Sequence, residues 1–200
     1  MGTPASFYFD LASPLAYLAA ERVLHTLPGP AEWQPVLAAE LGGAQRFDAF
    51  RCEQERDVFR SEIARRAQEL GLQPLRWPEP FPFDSALAMR AATYAKSIGR
   101  TVPFAQAAFR QAFAGGRDLQ QIDNVLIAAA ACEMHPAAVT RGVELRSVAD
   151  QLAASTRNAT RSKIKTIPAI VVGETAYEGE RAIEQAAEQM LADAAAGAAR

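Results

Sequence analysis

Residues 5–18 read ASFYFDLASPLAYL, and this stretch decides the fold. Ala5 to Asp10 is a short run rich in aromatic side chains, the composition of a strand buried in a sheet. Ser13 and Pro14 follow at once. Serine is a preferred N-cap, and proline suits the first helical position because a helix start leaves that N–H unpaired in any case. Leu15, Leu18, Ala19, Val23 and Leu27 then recur at helical spacing, until Pro28-Gly29-Pro30 ends the helix. Residues 32–38, EWQPVLA, read as a second strand parallel to the first, with Pro35 confining it to an edge or a bulge. Strand, helix and strand make one βαβ unit.

Beyond it, residues 44–165 show only helical periodicity. Phe59, Ile63, Ala67 and Leu70 mark one face of a helix that Gly71 stops, and the proline-rich stretch 73–83 is an extended connection. Further helices are predicted near 84–98, 103–114, 118–132 and 144–164, the third of them lined by Leu119, Ile122, Val125, Leu126 and Ala129. Strand character returns only at the end. Ala169 to Val172 is a β-branched run opened by Ile167-Pro168, Gly173-Glu174 turns it into a short strand at 175–177, and an amphipathic helix follows Gly179. The order is therefore βαβ, a helical block, then ββα. The expected fold is α/β, with residues 1–43 and 166–200 building one sheet domain and residues 44–165 inserted as an all-helical domain.

Half of the 200 residues are apolar and 22% are charged, the profile of a globular protein with one ordinary core. A net charge of −2 gives no reason to expect nucleic acid as a partner, and no apolar run is long enough to expect a membrane span. The opening MGTPASFYFD has no basic stretch before an apolar one, so no secretory signal is expected and a cytoplasmic location is the default. The one basic cluster, Arg157, Arg161, Lys163 and Lys165, reads first as a solvated helix face and second as a rim attracting a carboxylate. Cys52 and Cys132 lie far apart, each within a helical pattern, without the C-x-x-C spacing of a redox dithiol or the paired spacing of a zinc site. They read as ordinary, partly buried thiols. His25 and His135 have no ligand-spaced neighbours, so no metal is expected.

Two features from opposite ends of the chain would meet in such a sheet. Ser13 sits at a helix start, whose unpaired N–H groups and partial positive charge favour an anion such as a thiolate. A serine there cannot form a disulfide, but it can donate a hydrogen bond to a thiolate carried by a ligand. Read alone, Ser13-Pro14 is simply a helix cap. Ile167-Pro168 has the same two readings: a trans proline opening a strand, or a cis one leaving the Ile167 N–H and C=O free to pair with an extended ligand. Tyr17, one turn beyond Ser13, either shares its face and donates to a thiolate or belongs to the core. Asp10 ends the first strand beside the site, with capping or pairing to a basic group as its ordinary role.

The segments YFDLASPLAYL, FPFDSALAMR and TIPAIVVGETAYEGERAIE, in this order, resemble the DsbA-like thioredoxin superfamily over nearly the whole chain, which implies a thioredoxin-like α/β fold with a large all-helical insertion. They look most like its branch of 2-hydroxychromene-2-carboxylate isomerases and kappa-class glutathione transferases. The resemblance implies that Ser13, followed by Pro14, contacts the sulfur of glutathione. It also implies that Pro168 is cis, that Ile167 holds the cysteinyl backbone, and that polar residues at the last helix start, here Glu180 and Arg181, hold the γ-glutamyl end. A small-molecule co-substrate and a homodimer follow from the same resemblance. The chain departs from the branch at Tyr177-Glu178-Gly179-Glu180-Arg181, which lacks a tryptophan and has one residue fewer between glycine and arginine. Asp84 stands where asparagine is frequent. Glutathione, or another small thiol, is thus the expected co-substrate of an isomerase or transferase. The alternatives are a binding module without catalysis and, last, a disulfide oxidoreductase.

Overall fold

The computed structural model describes residues 4–48 and 50–198. Strands β1 (Ala5–Phe9), β2 (Ala31–Pro35), β3 (Ala169–Val172) and β4 (Thr175–Glu178) form one sheet in the order β2-β1-β3-β4. β1 runs parallel to β2 and antiparallel to β3, and β3 runs antiparallel to β4. Both ends of the chain therefore build the sheet, and helices fill the interval. Pro35, the last residue of edge strand β2, pairs with Phe9. β2 ends there and not at Ala38: Val36 N–H still donates to the Phe9 carbonyl at 3.1 Å, but the two amides after it leave the ladder. Leu37 N–H donates to the Thr156 hydroxyl at 3.0 Å and Ala38 N–H to the Asp10 carboxylate at 2.9 Å.

The first helical stretch divides into α1 (Pro14–Ala20) and α2 (Val23–Thr26). The break comes where Arg22 N–H turns to the Ala19 carbonyl, an i→i−3 bond that tightens the turn. Helix α3 (Glu53–Glu69) carries Glu53 and Glu55 in its first turn and ends before Gly71, whose φ of +66° is the left-handed conformation glycine adopts freely. Then come α4 (Ala86–Ser97), α5 (Thr101–Phe113), α6 (Ile122–Ala130), α7 (Pro136–Glu144), α8 (Arg146–Arg161) and, after β4, α9 (Ala182–Ala198). Helix α7 was not expected. It buries only Val139 and Val143 with Gly142, and its signal was Pro136 at the first position, capped by His135.

The core is continuous from sheet to helices. Phe7 and Phe9 of β1 meet Trp33 of β2 edge-on, with ring centroids 4.9 and 5.7 Å apart. Phe9 reaches Phe109 of α5 at 5.9 Å, and Tyr17 of α1 stacks on Phe113 at 5.7 Å. Glu21, nearly buried, receives a bidentate pair from Arg110 at 2.7 Å, which fixes the end of α1 to α5. Helix α9 packs on β3, β4 and α2, while α4 and α8 cover β2.

Candidate functional site

Ser13 is the N-cap of α1. Its backbone is extended, its hydroxyl accepts the Ala16 N–H at 3.1 Å, and its own N–H donates to the Asp10 carbonyl at 3.0 Å. The residue is completely buried. Among the described residues no acceptor takes the hydroxyl hydrogen, so the group retains the capacity to donate.

Asp10, also buried, takes the first of its two expected roles, capping backbone N–H groups, and not the second, pairing with a basic group. Its carboxylate accepts from Ala12 N–H, Ala38 N–H and the Ser85 hydroxyl, each at 2.9 Å. Burial pushes its pKa above the usual carboxylate range, against the pull of those donors. The three bonds tie β1, the residues after β2 and the start of α4 to one another, which holds the turn that presents Ser13.

The Ile167–Pro168 peptide is cis, as are Glu79–Pro80 and Phe81–Pro82. The expectation that the Ile167 N–H would be free in that case does not hold. It donates to the side-chain carbonyl of Gln45 at 3.2 Å. Gln45 is itself buried, and its amide nitrogen donates to the carbonyls of Lys165 at 3.0 Å, Gly43 at 3.2 Å and Ala38 at 3.3 Å. The amide orientation follows from this set, since the reverse would aim the side-chain oxygen at three carbonyls. Glu178 completes the arrangement by accepting the N–H of Lys165 at 3.1 Å and both the N–H and hydroxyl of Thr166 at 2.5 and 2.7 Å. Side chains from outside thus satisfy every backbone N–H from Lys165 to Ile167.

A cavity of about 290 Å³ lies between α1, the end of α3 and the start of α9. Leu15, Leu18, Leu70, Pro168 and Ile183 supply apolar wall, and Arg22, Arg66, Glu69, Glu180 and Arg181 supply charge. Glu180 does not stand as an isolated negative charge. It pairs with Arg66 at 2.7 Å and with Arg46, while Glu62 reaches the same two arginines at 2.7 and 3.2 Å. The hydrogen bond from Arg66 holds its carboxyl below the ordinary range. Arg22 pairs with Glu184 of α9. Arg181 is exposed and makes no ion pair among the described residues.

The expected site residues thus fall into two groups. Pro168, Glu180 and Arg181 line this cavity, whereas Ser13, Pro14, Tyr17 and Ile167 are buried and do not line it. Tyr17 lies in the aromatic core between Phe109 and Phe113, and burial, with Glu21 nearby, pushes its pKa up to about 12. On the other side of Ser13 a second cavity, about 420 Å³, is lined by Asp10, Ala12, Phe47, Asp84 and Ser85 among others. Asp84 accepts from Ala86 N–H at 2.8 Å at the start of α4.

The cysteines are both free. Cys132 is buried, but Cys52 is exposed at the residue preceding α3, not partly buried within a helix. Arg157, Arg161, Lys163 and Lys165 are exposed and line neither cavity. Among the described residues no group of His, Cys, Asp and Glu side chains comes together to hold a metal ion, and no helix is long and apolar enough to cross a membrane. Sequence reasoning missed Gln45, Arg22, Arg66 and Glu178. Gln45 lies in a stretch without periodicity, so nothing local marks it; Arg22 and Arg66 are spaced like any solvated helix residue.

Comparison with known proteins agrees with this architecture. The family described as the DSBA-like thioredoxin domain matches residues 6–191. None of the curated proteins matches the chain in sequence. Among solved structures, 2-hydroxychromene-2-carboxylate isomerase superposes with a TM-score of 0.84 at 17% identity, covering 98% of both chains. A probable DsbA oxidoreductase from Streptomyces coelicolor superposes at 0.78, also at 17% identity, over 96% of this chain and 90% of its own. The cytosolic disulfide reductase DsbM from Pseudomonas aeruginosa, solved with GSH, gives 0.63 at 14% identity over 94% and 96%. At such identities the superpositions establish fold alone. The chain belongs to the DSBA-like thioredoxin domain family.

Proposed function

We propose that this protein is a thiol-dependent isomerase or transferase that takes glutathione, or another small thiol, as co-substrate and uses no cysteine of its own. The observation that carries the reading is the cavity of about 290 Å³ bounded by Pro168, the start of α9 and the face of α1 that begins just beyond Ser13. Its size is at the lower end of small-ligand sites, roughly 300–1,000 Å³. An apolar wall with Arg181 at its edge, outside the ion pairs that engage Arg22 and Arg66, suits an anionic tail on a compact body. That a neighbour in fold, DsbM, was solved with GSH is consistent with this choice.

In this reading the Ser13 hydroxyl, whose hydrogen no protein acceptor takes, donates to the ligand's thiolate and favours the ionised form. The thiolate sulfur adds to one carbon of a conjugated double bond, and the electron pair moves onto the adjacent unsaturated carboxylate. The former double bond rotates as a single bond. Expulsion of the thiolate then restores the double bond in its other geometry and returns the thiol unchanged, so nothing is oxidised. Retaining the thiol adduct is the transferase variant. Because Ser13 is buried, the residues over it must shift when the thiol enters.

Calorimetric titration of glutathione into the wild type and Ser13→Ala tests the reading. Binding by the wild type, weakened at least severalfold in the variant, supports it. No heat at millimolar glutathione in either protein overturns the glutathione assignment. The burial of Ser13 favours one rival, a module that binds a peptide or small ligand without catalysis. That rival predicts the same ligand affinity in Ser13→Ala.

A further inference from the structure

The charged residues that line the cavity between α1, α3 and α9 are matched, with one exception, by partners within the protein. Arg22 of α1 pairs with Glu184 of α9. Glu69, the last residue of α3, pairs with Arg65 one turn before it. Glu180, just before α9, pairs with Arg66 at 2.7 Å and with Arg46, and Glu62 holds the same two arginines from the other side. Arg181 is exposed and, among the described residues, makes no ion pair; it lies within electrostatic reach of Glu184, whose own ion pair is with Arg22. The lining residues and their partners thus comprise five arginines and four glutamates, one net positive charge in all. Glu180 is the hinge of that balance, because it lines the cavity and also engages the two arginines whose charge would otherwise add to it.

We propose that Glu180 sets the charge class of the ligand: by engaging Arg46 and Arg66 it leaves Arg181 as the unpaired cation of the cavity, so the site selects a thiol whose body carries one net negative charge. The proposal rests on the reading of this cavity as the thiol site. In that reading the charge of the thiolate itself is met by the start of α1. What remains to be matched is the charge on the rest of the ligand. One net negative charge leaves the occupied cavity neutral. A second leaves an unmatched anion beside Glu69 and Glu180, and an uncharged body forgoes the attraction of Arg181. Glutathione, with two carboxylates and one ammonium, belongs to the selected class, as does a short mercaptocarboxylate. The Arg66 hydrogen bond holds the Glu180 carboxyl below the ordinary range, so the residue stays ionised at neutral pH and the selection holds there.

The test titrates three small thiols into the full-length chain at pH 7 and low salt: uncharged 2-mercaptoethanol, singly charged 3-mercaptopropionate and doubly charged 2-mercaptosuccinate. The wild type is expected to bind 3-mercaptopropionate most tightly. Glu180→Gln adds one net positive charge to the site. It should bind 3-mercaptopropionate about threefold and 2-mercaptosuccinate about tenfold more tightly than the wild type, since doubling the ligand charge doubles the Coulomb energy and squares the affinity ratio. 2-Mercaptoethanol should bind both proteins equally, and the gains for the anions should vanish at about 1 M salt, where the screening length is about 3 Å. A wild type that prefers 2-mercaptosuccinate overturns the proposal. So do equal gains for all three thiols, which would mean general loosening, no gain for either anion, or no binding of any probe by either protein. Glu62→Gln frees the same arginines without altering the cavity wall, so it gives the same readout should Glu180→Gln fail to fold. Failure of the thiol-enzyme reading looks different: propionate and succinate, which lack the thiol, would bind as tightly as their mercapto counterparts and show the same dependence on Glu180.

Discussion

The side-chain carbonyl of Gln45 accepts the backbone N–H of Ile167 at 3.2 Å across 122 positions of sequence. This bond joins the loop after β2 to the residue before the cis proline, so the Ile167 N–H is engaged within the protein. The same loop approaches so closely that Gly43 faces the Lys165 carbonyl without room for a side chain.

Gly43→Ala measures that approach. The added methyl group meets the Lys165 carbonyl oxygen and carbon at 2.6 and 3.0 Å, and backbone atoms cannot rotate away as a flexible side chain would. Destabilisation of about 1–3 kcal/mol is expected, read from the urea midpoint. An unchanged midpoint would mean the loop shifts freely, and would also loosen the Gln45 contacts.

Ser13 is expected to behave first as a cap. Ser13→Ala removes the acceptor for Ala16 N–H and should cost about 1 kcal/mol of stability. Its burial has a separate consequence. In a Ser13→Cys variant, iodoacetamide should alkylate the exposed Cys52 about tenfold faster than the introduced thiol, as expected when one site requires local opening. Comparable rates would show that the cover over this position opens readily.

Asp10 makes stability fall as pH rises. Its folded pKa is raised, so its contribution is greatest below the unfolded value of about 3.9 and is lost as pH climbs through the folded one. Asn at this position resembles the protonated acid and does not titrate. The stability of the wild type relative to Asp10→Asn should therefore decline as pH rises from about 4 through the raised folded value. Glu180 acts in the opposite sense: its lowered pKa gives a contribution present above the unfolded carboxylate range and lost as pH falls through its folded value. A wild type that gained on Asp10→Asn with rising pH would show that its three donors outweigh desolvation.

Tyr17 is expected to matter through its ring. Tyr17→Phe keeps the packing against Phe109 and Phe113 and should change stability by less than about 1 kcal/mol, whereas Tyr17→Ala should cost about 3–5 kcal/mol. Spectrophotometric titration should find this phenol still protonated well above pH 10, in keeping with its value of about 12. A large loss of thiol-dependent turnover in Tyr17→Phe, with stability intact, would return the hydroxyl to the site.

By itself the sequence determined the strand-cap-helix start at Ala5–Ala20, the ββα ending, the helical interval and the Ser13 cap. Each is encoded locally, by side-chain periodicity or by a residue whose own backbone preference marks a boundary. Elements with little periodicity escaped, as α7 did with two buried valines, and the end of β2 was misplaced because distant acceptors on Asp10 and Thr156 draw its amides away. The tertiary structure alone decided what surrounds Ser13 and Ile167. Burial placed Tyr17 in the core, Arg46 and Arg66 neutralised Glu180, and Gln45 closed the Ile167 N–H. Such pairings depend on where remote segments pack, and no local pattern in the chain carries that information.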